Sequence, residues 1–394
     1  MHLNLPEVSS ELYQWSNAIL IVLISATLTG IIIPRILLIS FRKRLFDPHD
    51  TRKIHKGIVP RLGGIAFKPA IFFSMLLVFG VNVLIGRQDM MQDFNRHAVE
   101  LVFMFCTMLL LYFIGIADDL VGVRYRDKFA IQISCGILLV ISGIWINNLH
   151  GLFGIYSLSP FIGYPLTILV VVFITNAINL IDGIDGLAAG LSGIALLFYG
   201  VVFMQREQQF VYAMLAFAAL GTLIPFFYYN VFGNAERGRK IFMGDTGSLT
   251  IGILLSFLSI AACTHQPTES SRCNPFVTAF APLIVPCFDV LRVFLHRLRN
   301  RQPLFSPDKN HIHHKLLCIG LTQRRTMVTL LSVSVFFTVL NIGCSPWADT
   351  NLLLAADILL WLAANVWLTM IMKKKSILNK KEKQSIEPFP HYAN

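Results

Sequence analysis

The sequence contains few charged residues: Asp, Glu, Lys and Arg make up 14% of its 394 residues, whereas 55% are hydrophobic. An average soluble protein carries about 25% charged residues, so this composition indicates a protein that contacts lipid. The chain also lacks a polar stretch long enough for a separate soluble core, because none between the apolar runs exceeds roughly 40 residues. We therefore expect a single membrane domain over residues 1–394, with a basic tail over residues 373–394.

Two further absences exclude other classes of protein. The seven cysteines form no CxxC pair and have no zinc-site spacing, which predicts small buried side chains rather than a redox or metal motif. The first sixteen residues contain no Lys or Arg. A cleavable signal peptide needs a positive segment before its apolar core, so we expect none here.

Long apolar runs are what the sequence has instead. A membrane-spanning helix needs about 20 apolar residues, and eleven runs approach or exceed that length. The pattern predicts an all-α polytopic membrane protein. The predicted spans cover roughly residues 17–41, 64–85, 97–117, 129–147, 160–178, 187–204, 210–229, 247–264, 275–295, 327–344 and 351–372.

Lys and Arg are distributed unevenly between the two sides of these spans. The connections after odd-numbered spans, with the tail, contain 27 of them, and those after even-numbered spans contain 4. Because Lys and Arg are retained on the cytoplasmic side, we predict an external N-terminus and a cytoplasmic C-terminus in a bacterial inner membrane. Topology also explains the net charge of +11, so we expect no nucleic-acid partner.

Two adjacent acids, Asp118 and Asp119, end the third predicted span. Neighbouring carboxylates repel each other, lose hydration at a membrane surface and oppose the helix dipole at a C-terminus. A bound cation would relieve all three costs. The sequence supports equally well a pair of hydrated interfacial acids that are offset by Arg124 and Arg126.

Asn179, Asp182 and Asp185 recur every three residues between the fifth and sixth predicted spans, so a helical turn would place them on one side. No Lys or Arg lies between residues 129 and 205. Acids at membrane depth without a local counter-charge indicate a functional site. The structural alternative is a polar, glycine-rich turn.

The segment Phe-Met-Gly-Asp-Thr-Gly-Ser at residues 242–248 opens the eighth predicted span. Asp, Thr and Ser all cap helices, which is the structural interpretation of this segment. Free N–H groups at a helix N-terminus also bind phosphate, and Asp245 is a candidate metal ligand there. Phe242 offers a ring face to a base.

Histidines and basic residues cluster on the same predicted side. His311, His313 and His314 follow a basic stretch that includes Arg301, and their spacing without a cysteine is poor for a zinc site. They suit phosphate oxygens better, with general acid–base catalysis as the alternative. Lys56 belongs to a second basic segment, which membrane anchoring explains only in part.

All of these segments fall on the predicted cytoplasmic face, and they combine acids for a hard cation with bases for anions. Mg²⁺ commonly joins protein carboxylates to substrate phosphates, and phosphoryl transfer uses both kinds of group. The competing class is a secondary transporter for an anion. A transporter would place its ionisable residues near the bilayer midplane, whereas here they lie at the ends of the spans.

Four segments together resemble the polyprenyl-phosphate N-acetylhexosamine-1-phosphate transferases, the superfamily of MraY, WecA and TagO. The resemblance extends from about residue 52 to residue 320. It is carried, in this order, by Ala-Asp-Asp-Leu at 117–120, Asn-Leu-Ile-Asp-Gly-Ile-Asp-Gly-Leu-Ala at 179–188, Phe-Met-Gly-Asp-Thr-Gly-Ser at 242–248 and His-Ile-His-His at 311–314.

This resemblance implies that a UDP-N-acetylhexosamine and undecaprenyl phosphate give a lipid-diphosphate sugar and UMP, with Mg²⁺ or Mn²⁺ as cofactor. It implies that Asp118 is the base for the lipid phosphate and that Asp119 is a second catalytic residue. Asp119 and Asp245 are the implied metal ligands. Asn230 departs from the family pattern, since it lies fifteen rather than ten residues before Asp245. The implied substrate-binding residues are Lys56, Asn179, Asp182, Asp185, Asn230, Phe242, Arg301, His311, His313 and His314.

The histidine motif also carries a resemblance to one branch of this superfamily. Ser-Pro-Asp-Lys followed by His-Ile-His-His is similar to the WecA/TagO branch, which implies UDP-N-acetylglucosamine as the donor and the start of a cell-surface polysaccharide. Another UDP-N-acetylhexosamine, including UDP-N-acetylmuramoyl-pentapeptide, is the alternative. The sequence determines neither the later polymer nor the oligomeric state, for which a homodimer is one alternative.

Overall fold

The fold is all-α. A computed structural model describes residues 10–45, 59–206, 208–264, 273–303 and 310–386, with side chains up to residue 375, and this part of the chain contains no strand. Lys56 therefore lies outside the described residues. The helices are α1 Ser10–Lys43, α2 Phe67–Ile85, α3 Gln88–Val121, α4 Tyr125–Ile141, α5 Pro160–Ile181, α6 Leu187–Met204, α7 Phe210–Phe227, α8 Gly244–Thr264, α9 Pro275–Phe280, α10 Ile284–Arg299, α11 Ile312–Cys318, α12 Gln323–Cys344 and α13 Thr350–Ile386.

The protein is a multi-pass membrane protein, as predicted. Among the described residues, ten helical segments are long and apolar enough to cross a membrane. Each of the eleven predicted runs contains a helix, but α4, in the fourth run, has only 17 residues. The count of eleven spans, and the orientation, therefore stay predictions.

The ninth predicted span is broken into two helices. A 3-10 turn over Ala281–Leu283 separates α9 from α10. Pro282 lies within that turn and has no N–H to donate, so a regular helix is interrupted there. The short helix α11, which begins at Ile312, was not predicted and carries two of the three histidines.

Helix α8 lies at the centre of the bundle. Its residues 246–263 are all buried inside the protein, and it packs against α3, α5, α6 and α9. The outer helices instead expose large apolar side chains, such as Phe113 on α3 and Leu169 on α5. Because lipid offers no hydrogen-bond partners, backbone groups in such helices must pair internally. The polar N-terminus of α8 can thus lie deep in the protein only if other elements bond to it.

Glycines let the neighbouring elements approach α8 closely. A Cβ atom added to Gly115 on α3 would lie 2.4 Å from the Cα atom of Thr246, and one added to Gly64 would lie 2.0 Å from the backbone nitrogen of Gly247. Small residues permit this kind of helix contact inside membranes. The approach of α3 brings its last turn, which carries the two adjacent acids, to the first turn of α8.

Backbone hydrogen bonds join the segment before α2 to the segment before α8. Phe242 N–H donates to Pro60 (2.8 Å), Gly63 N–H donates to Phe242 (3.0 Å) and Gly64 N–H donates to Met243 (2.9 Å). The glycine pair of the basic segment is therefore explained by backbone packing. This pairing brings Arg61 to the beginning of α8.

We expect Gly115→Ala to destabilise the fold, because its methyl group would overlap backbone atoms of Thr246. Overpacking of this kind costs about 1–3 kcal/mol. Gly80→Ala on α2 is the matched control, since nothing lies within 4 Å of its added Cβ. Thermal unfolding in detergent measures both variants, and equal midpoints would contradict the close contact between α3 and α8.

Candidate active site

The N-terminus of α8 is held by a carboxylate from α3. Asp119 accepts hydrogen bonds from Asp245 N–H (2.8 Å), Thr246 N–H (2.9 Å) and the Thr246 hydroxyl (2.6 Å). Both of its oxygens are thus engaged with α8. Gly244, with φ of 71°, starts the helix, and a Cβ there would lie 1.9 Å from the Arg61 carbonyl oxygen. A left-handed conformation and this contact together require glycine.

A lysine connects the two other acids at this point. The Lys128 ammonium group lies 2.7 Å from Asp118 Oδ2 and 2.5 Å from Asp245 Oδ2. Asp118 Oδ1 accepts a further hydrogen bond from Val123 N–H (2.7 Å). The turn through Gly122, with φ of 75°, reverses the chain between α3 and α4 and brings Lys128 back over Asp118. The three charged side chains come from α3, α4 and α8.

The end of α5 supplies the polar side chains of the second motif. Asn179 Nδ2 donates to Ser248 Oγ on α8 (2.8 Å). Asp182 ends the helix and keeps an exposed surface. The protein atoms that crowd around this carboxyl raise its pKa to about 7, and the charges of Asp245 and Asp185 act in the same direction. Burial is thus the larger cause, and the neighbouring acids add to it.

The loop after Asp182 is held from the other side of the site. Lys240 Nζ lies 2.6 Å from Asp185 Oδ2, and the lysine is 8% exposed. Asn230 Oδ1 accepts the Gly186 N–H (2.6 Å), while its Nδ2 donates to the Ile241 carbonyl (2.8 Å). Asn230 therefore lies at this loop despite its unusual spacing, and its side chain fixes the loop to the segment before α8.

The histidine motif packs against the same loop. A Cβ added to Gly183 would lie 2.4 Å from His313 Nε2, and His313 is 1% exposed. Burial, followed by the charge of neighbouring His314, lowers the pKa of His313 to about 3. Neither ring nitrogen of His313 has a hydrogen-bond partner within the described part of the chain. The ring is thus a neutral group between the loop and the rest of the motif.

His311 lies next to His313 and is fixed by an acid of α10. The two imidazole rings stack with centroids 5.7 Å apart and an angle of 9°. His311 Nδ1 lies 2.9 Å from Asp289 Oδ2, and Asp289 is fully buried. His311 is therefore positioned by α10, and His313 by the loop after α5.

The other predicted residues differ in their relation to this cluster. Phe242 is half-buried in the segment that pairs with Pro60. Arg301 lies exposed beyond the end of α10, and its described contact, from its N–H to the Leu298 carbonyl, does not reach the acids. Arg301 and the roles of the other predicted residues stay predictions.

Three residues of the arrangement were not singled out from the sequence. Lys128 and Lys240 lie in basic connections, where positive-inside counting explains them without a site. Asp289 stands in the apolar run of the ninth predicted span. A single acid at such a position is itself a signal of function, and it would have identified Asp289.

No group of three or more His, Cys, Asp or Glu side chains that could hold a metal ion occurs within the described ranges. Both carboxylate oxygens of Asp119 bond to α8. Lys128 lies between the carboxylates of Asp118 and Asp245. The predicted metal role of Asp119 and Asp245 is not tested by this arrangement. What the site offers is a cluster of acids with cations between them, at one end of the bundle.

Comparisons with known proteins give a consistent result. The model of the family described as Glycosyl transferase family 4 matches residues 101–263. The probable undecaprenyl-phosphate N-acetylglucosaminyl 1-phosphate transferase of Bacillus subtilis is 32% identical over 82% of this chain and 83% of its own length. The undecaprenyl-phosphate alpha-N-acetylglucosaminyl 1-phosphate transferases of Yersinia pestis and Escherichia coli K12 are 29% and 31% identical, over 77% and 73% of this chain and 78% and 72% of theirs.

We predict that Asp119→Asn lowers stability, because an amide group would face N–H donors that now bond to a carboxylate. A buried donor left without its partner costs about 1–3 kcal/mol. Asp127→Asn, at an exposed position in the first turn of α4, is the control. Thermal unfolding in detergent is the measurement. An unchanged midpoint would show that Asp119 does not hold the N-terminus of α8.

Proposed function

Because the chain belongs to the polyprenyl-phosphate N-acetylhexosamine-1-phosphate transferases of glycosyl transferase family 4, we propose that it acts on undecaprenyl phosphate and UDP-N-acetylglucosamine. An oxygen of the lipid phosphate attacks the β-phosphorus of the nucleotide sugar. The bond from that phosphorus to the oxygen of UMP breaks, and UMP leaves with the electron pair. The products are undecaprenyl-diphospho-N-acetylglucosamine and UMP.

One observation carries this proposal: Asp118, Lys128 and Asp245 meet within hydrogen-bond distance at the N-terminus of α8. Phosphoryl transfer needs little covalent chemistry from the protein, so positioning and charge neutralisation provide most of its catalysis. A cluster that holds both signs of charge at the end of a membrane bundle suits a lipid phosphate and a soluble nucleotide.

We place the reaction on the cytoplasmic face of a bacterial inner membrane. The site is formed by the end of α3, the beginning of α4, the end of α5 and the beginning of α8. These ends lie on the side whose connections, together with the C-terminal tail, contain 27 of the Lys and Arg residues, against 4 on the opposite side. UDP-sugars are substrates of the cytosol, so this side is the one on which the donor is present.

The donor is proposed to bind between the loop after α5 and the segment before α8. Asn179, Asp182 and Asp185 would line this space, and Phe242 would stack on uracil. Asp185 is paired with Lys240, so its carboxylate is held in place. A diphosphate entering beside these acids would be repelled unless positive charge came with it.

The acids fit a divalent cation that is bound jointly with substrate. Burial raises the pKa of Asp182 to about 7, and the neighbouring carboxylates of Asp245 and Asp185 add to this effect. A cation bound beside these acids would be stabilised by their charge. Mg²⁺ is typically held by one or two carboxylates together with phosphates, so a closed three-ligand group is not needed. Asp245, with Asp182 beside it, would hold Mg²⁺ or Mn²⁺. When bound, the ion would neutralise the diphosphate.

Asp118 and Asp119 receive different proposed roles. Asp119 would position Asp245, since both of its oxygens bond to the first turn of α8. Asp118 Oδ1 is anchored by Val123 N–H, and its Oδ2 contacts Lys128. Asp118 would take the proton of a protonated lipid phosphate and so increase its nucleophilicity. Lys128 would neutralise part of the negative charge of the reacting phosphates.

A donor panel with purified protein, undecaprenyl phosphate and Mg²⁺ tests the proposed reaction. We expect UMP release with UDP-N-acetylglucosamine and little with UDP-N-acetylmuramoyl-pentapeptide. If the lipid phosphate attacks directly, then a labelled donor incubated without lipid should release no UMP and should leave no label bound to the protein. Preferred use of the muramoyl donor would replace the proposed substrate, and a covalent phospho-sugar or phospho-UMP enzyme would replace direct attack by a two-step route.

Asp245→Asn should keep its fold but lose most of its activity, because the proposed ligand would lose its charge. Loss of one preorganised charged group commonly lowers kcat by about 10²–10³-fold. Rates of UMP release across a Mg²⁺ titration are the measurement, with the exposed Glu236→Gln as the control. Near-normal turnover at ordinary Mg²⁺ would remove Asp245 from the proposed site.

A further inference from the structure

Asp289 is a fully buried acid on α10 that none of the recognised motifs contains. Its Oδ2 lies 2.9 Å from His311 Nδ1, and its Oδ1 accepts the Ile312 N–H at 2.9 Å. Arg292, one turn along α10, donates to the same Oδ1 at 2.9 Å and also contacts the Asn310 carbonyl. The carboxylate therefore holds the histidine motif at its first residue.

This contact determines which ring nitrogen of His311 carries a proton. A carboxylate paired with arginine is an acceptor, so the bond from His311 requires a hydrogen on Nδ1. The Nδ1–H tautomer leaves Nε2 as the second polar atom of the ring. None of the described residues hydrogen-bonds to Nε2, and His311 keeps 6% of its surface exposed.

The position of the ring connects it to the substrate space. His313 stacks on His311 on one side and packs against Gly183 in the loop after α5. His311 is therefore one ring away from the loop that we propose to line the donor site. Lys315, the next basic residue of α11, contacts Asn365 and Thr369 of α13, and its amine is thereby held by α13.

We propose that Asp289 is a positioning residue that fixes the Nδ1–H tautomer of His311, so that Nε2 contacts the diphosphate of the nucleotide sugar. This proposal rests on the proposed function, since it assigns a group to the same donor. To donate to a phosphate oxygen, Nε2 must also carry a hydrogen, which would enter together with the nucleotide sugar. In that form Nε2–H donates to a phosphate oxygen while Asp289 holds Nδ1–H.

A purely structural role for Asp289 would give different results. Its Oδ1 alone satisfies the first N–H of α11, and Asp289→Asn keeps one oxygen for that bond. The remaining NH₂ group would face Nδ1–H and would favour the Nε2–H tautomer instead. A structural role predicts lower thermal stability without a specific kinetic change, whereas a positioning role predicts a change in the use of the nucleotide sugar.

The first test compares the kinetics of Asp289→Asn, His311→Asn and the double variant. We expect Asp289→Asn to lower kcat/KM for UDP-N-acetylglucosamine by about 10–100-fold, the size of effect that follows loss of the hydrogen-bond partner of a metal-bound histidine. KM for undecaprenyl phosphate should not change. Since Asp289 acts through His311, the double variant should be no worse than His311→Asn, whereas multiplied losses would overturn the proposal.

Asp357→Asn is the matched control for this series. Asp357 is also a buried acid in a membrane-embedded helix, with 4% exposure, and its described hydrogen bond comes from Asn341 Nδ2 at 3.0 Å. It lies on α13, and its described hydrogen bond does not involve the histidines. The control should stay within about two-fold of the unaltered protein in kcat/KM, well below the 10-fold lower bound expected at Asp289.

The second test needs no variant at the acid and no turnover. ¹⁵N NMR of the protein labelled at histidine distinguishes Nδ1–H from Nε2–H rings, and His311→Asn identifies the signal of His311. We expect the Nδ1–H form in the full-length protein. An Nε2–H ring would overturn the proposal even if Asp289→Asn failed to fold. The Nδ1–H form without turnover of UDP-N-acetylglucosamine would retain the positioning contact and reject the proposed donor.

Discussion

The hydrogen bonds from α8 to Asp119 are the interaction on which the site depends. A helix N-terminus has free N–H groups, and where they are buried, as at Thr246, protein groups must accept their hydrogen bonds. Asp119 on α3 accepts hydrogen bonds from two of these N–H groups and from one hydroxyl group. The glycine contacts of α8 permit this approach. Asp118, next in sequence, is consequently fixed beside Asp245.

Charge balance explains how several acids can share so small a space. Lys128 lies between Asp118 and Asp245, Lys240 is paired with Asp185, and Arg292 is paired with Asp289. None of these three cations belongs to the four motifs that carry the family resemblance. Within the described residues, Asp182 is not paired with a lysine; burial and the neighbouring acids raise its pKa to about 7, although the charge of Arg61 acts in the opposite direction. The proposed divalent ion and the nucleotide diphosphate would complete this balance together.

The sequence predicted the helices well, because apolar runs in lipid have few structural alternatives. The structure brings Asp118, Asp119 and Asp245 together, and their roles stay predictions. The resemblance implied a base at Asp118 and a metal ligand at Asp119, but the sequence did not predict that Asp119 bonds to the N-terminus of α8, because only packing decides which of two adjacent acids does so. The contact of Lys128 with Asp245 could not be predicted from the sequence, because the two residues are 117 positions apart. The break after α9 occurs at Pro282, and the short helix α11 is held by Asp289, 23 residues before Ile312, a contact that periodicity does not reveal.

The central claim is that this site transfers a phosphorylated sugar, not a sugar alone. UDP-N-acetylglucosamine labelled with ³²P at the β-phosphate tests it directly, in a reaction with undecaprenyl phosphate and Mg²⁺. Our account predicts that the label moves into the lipid extract while unlabelled UMP appears in the aqueous phase. Label that stays in the aqueous phase as UDP, with sugar in the lipid, would contradict the account.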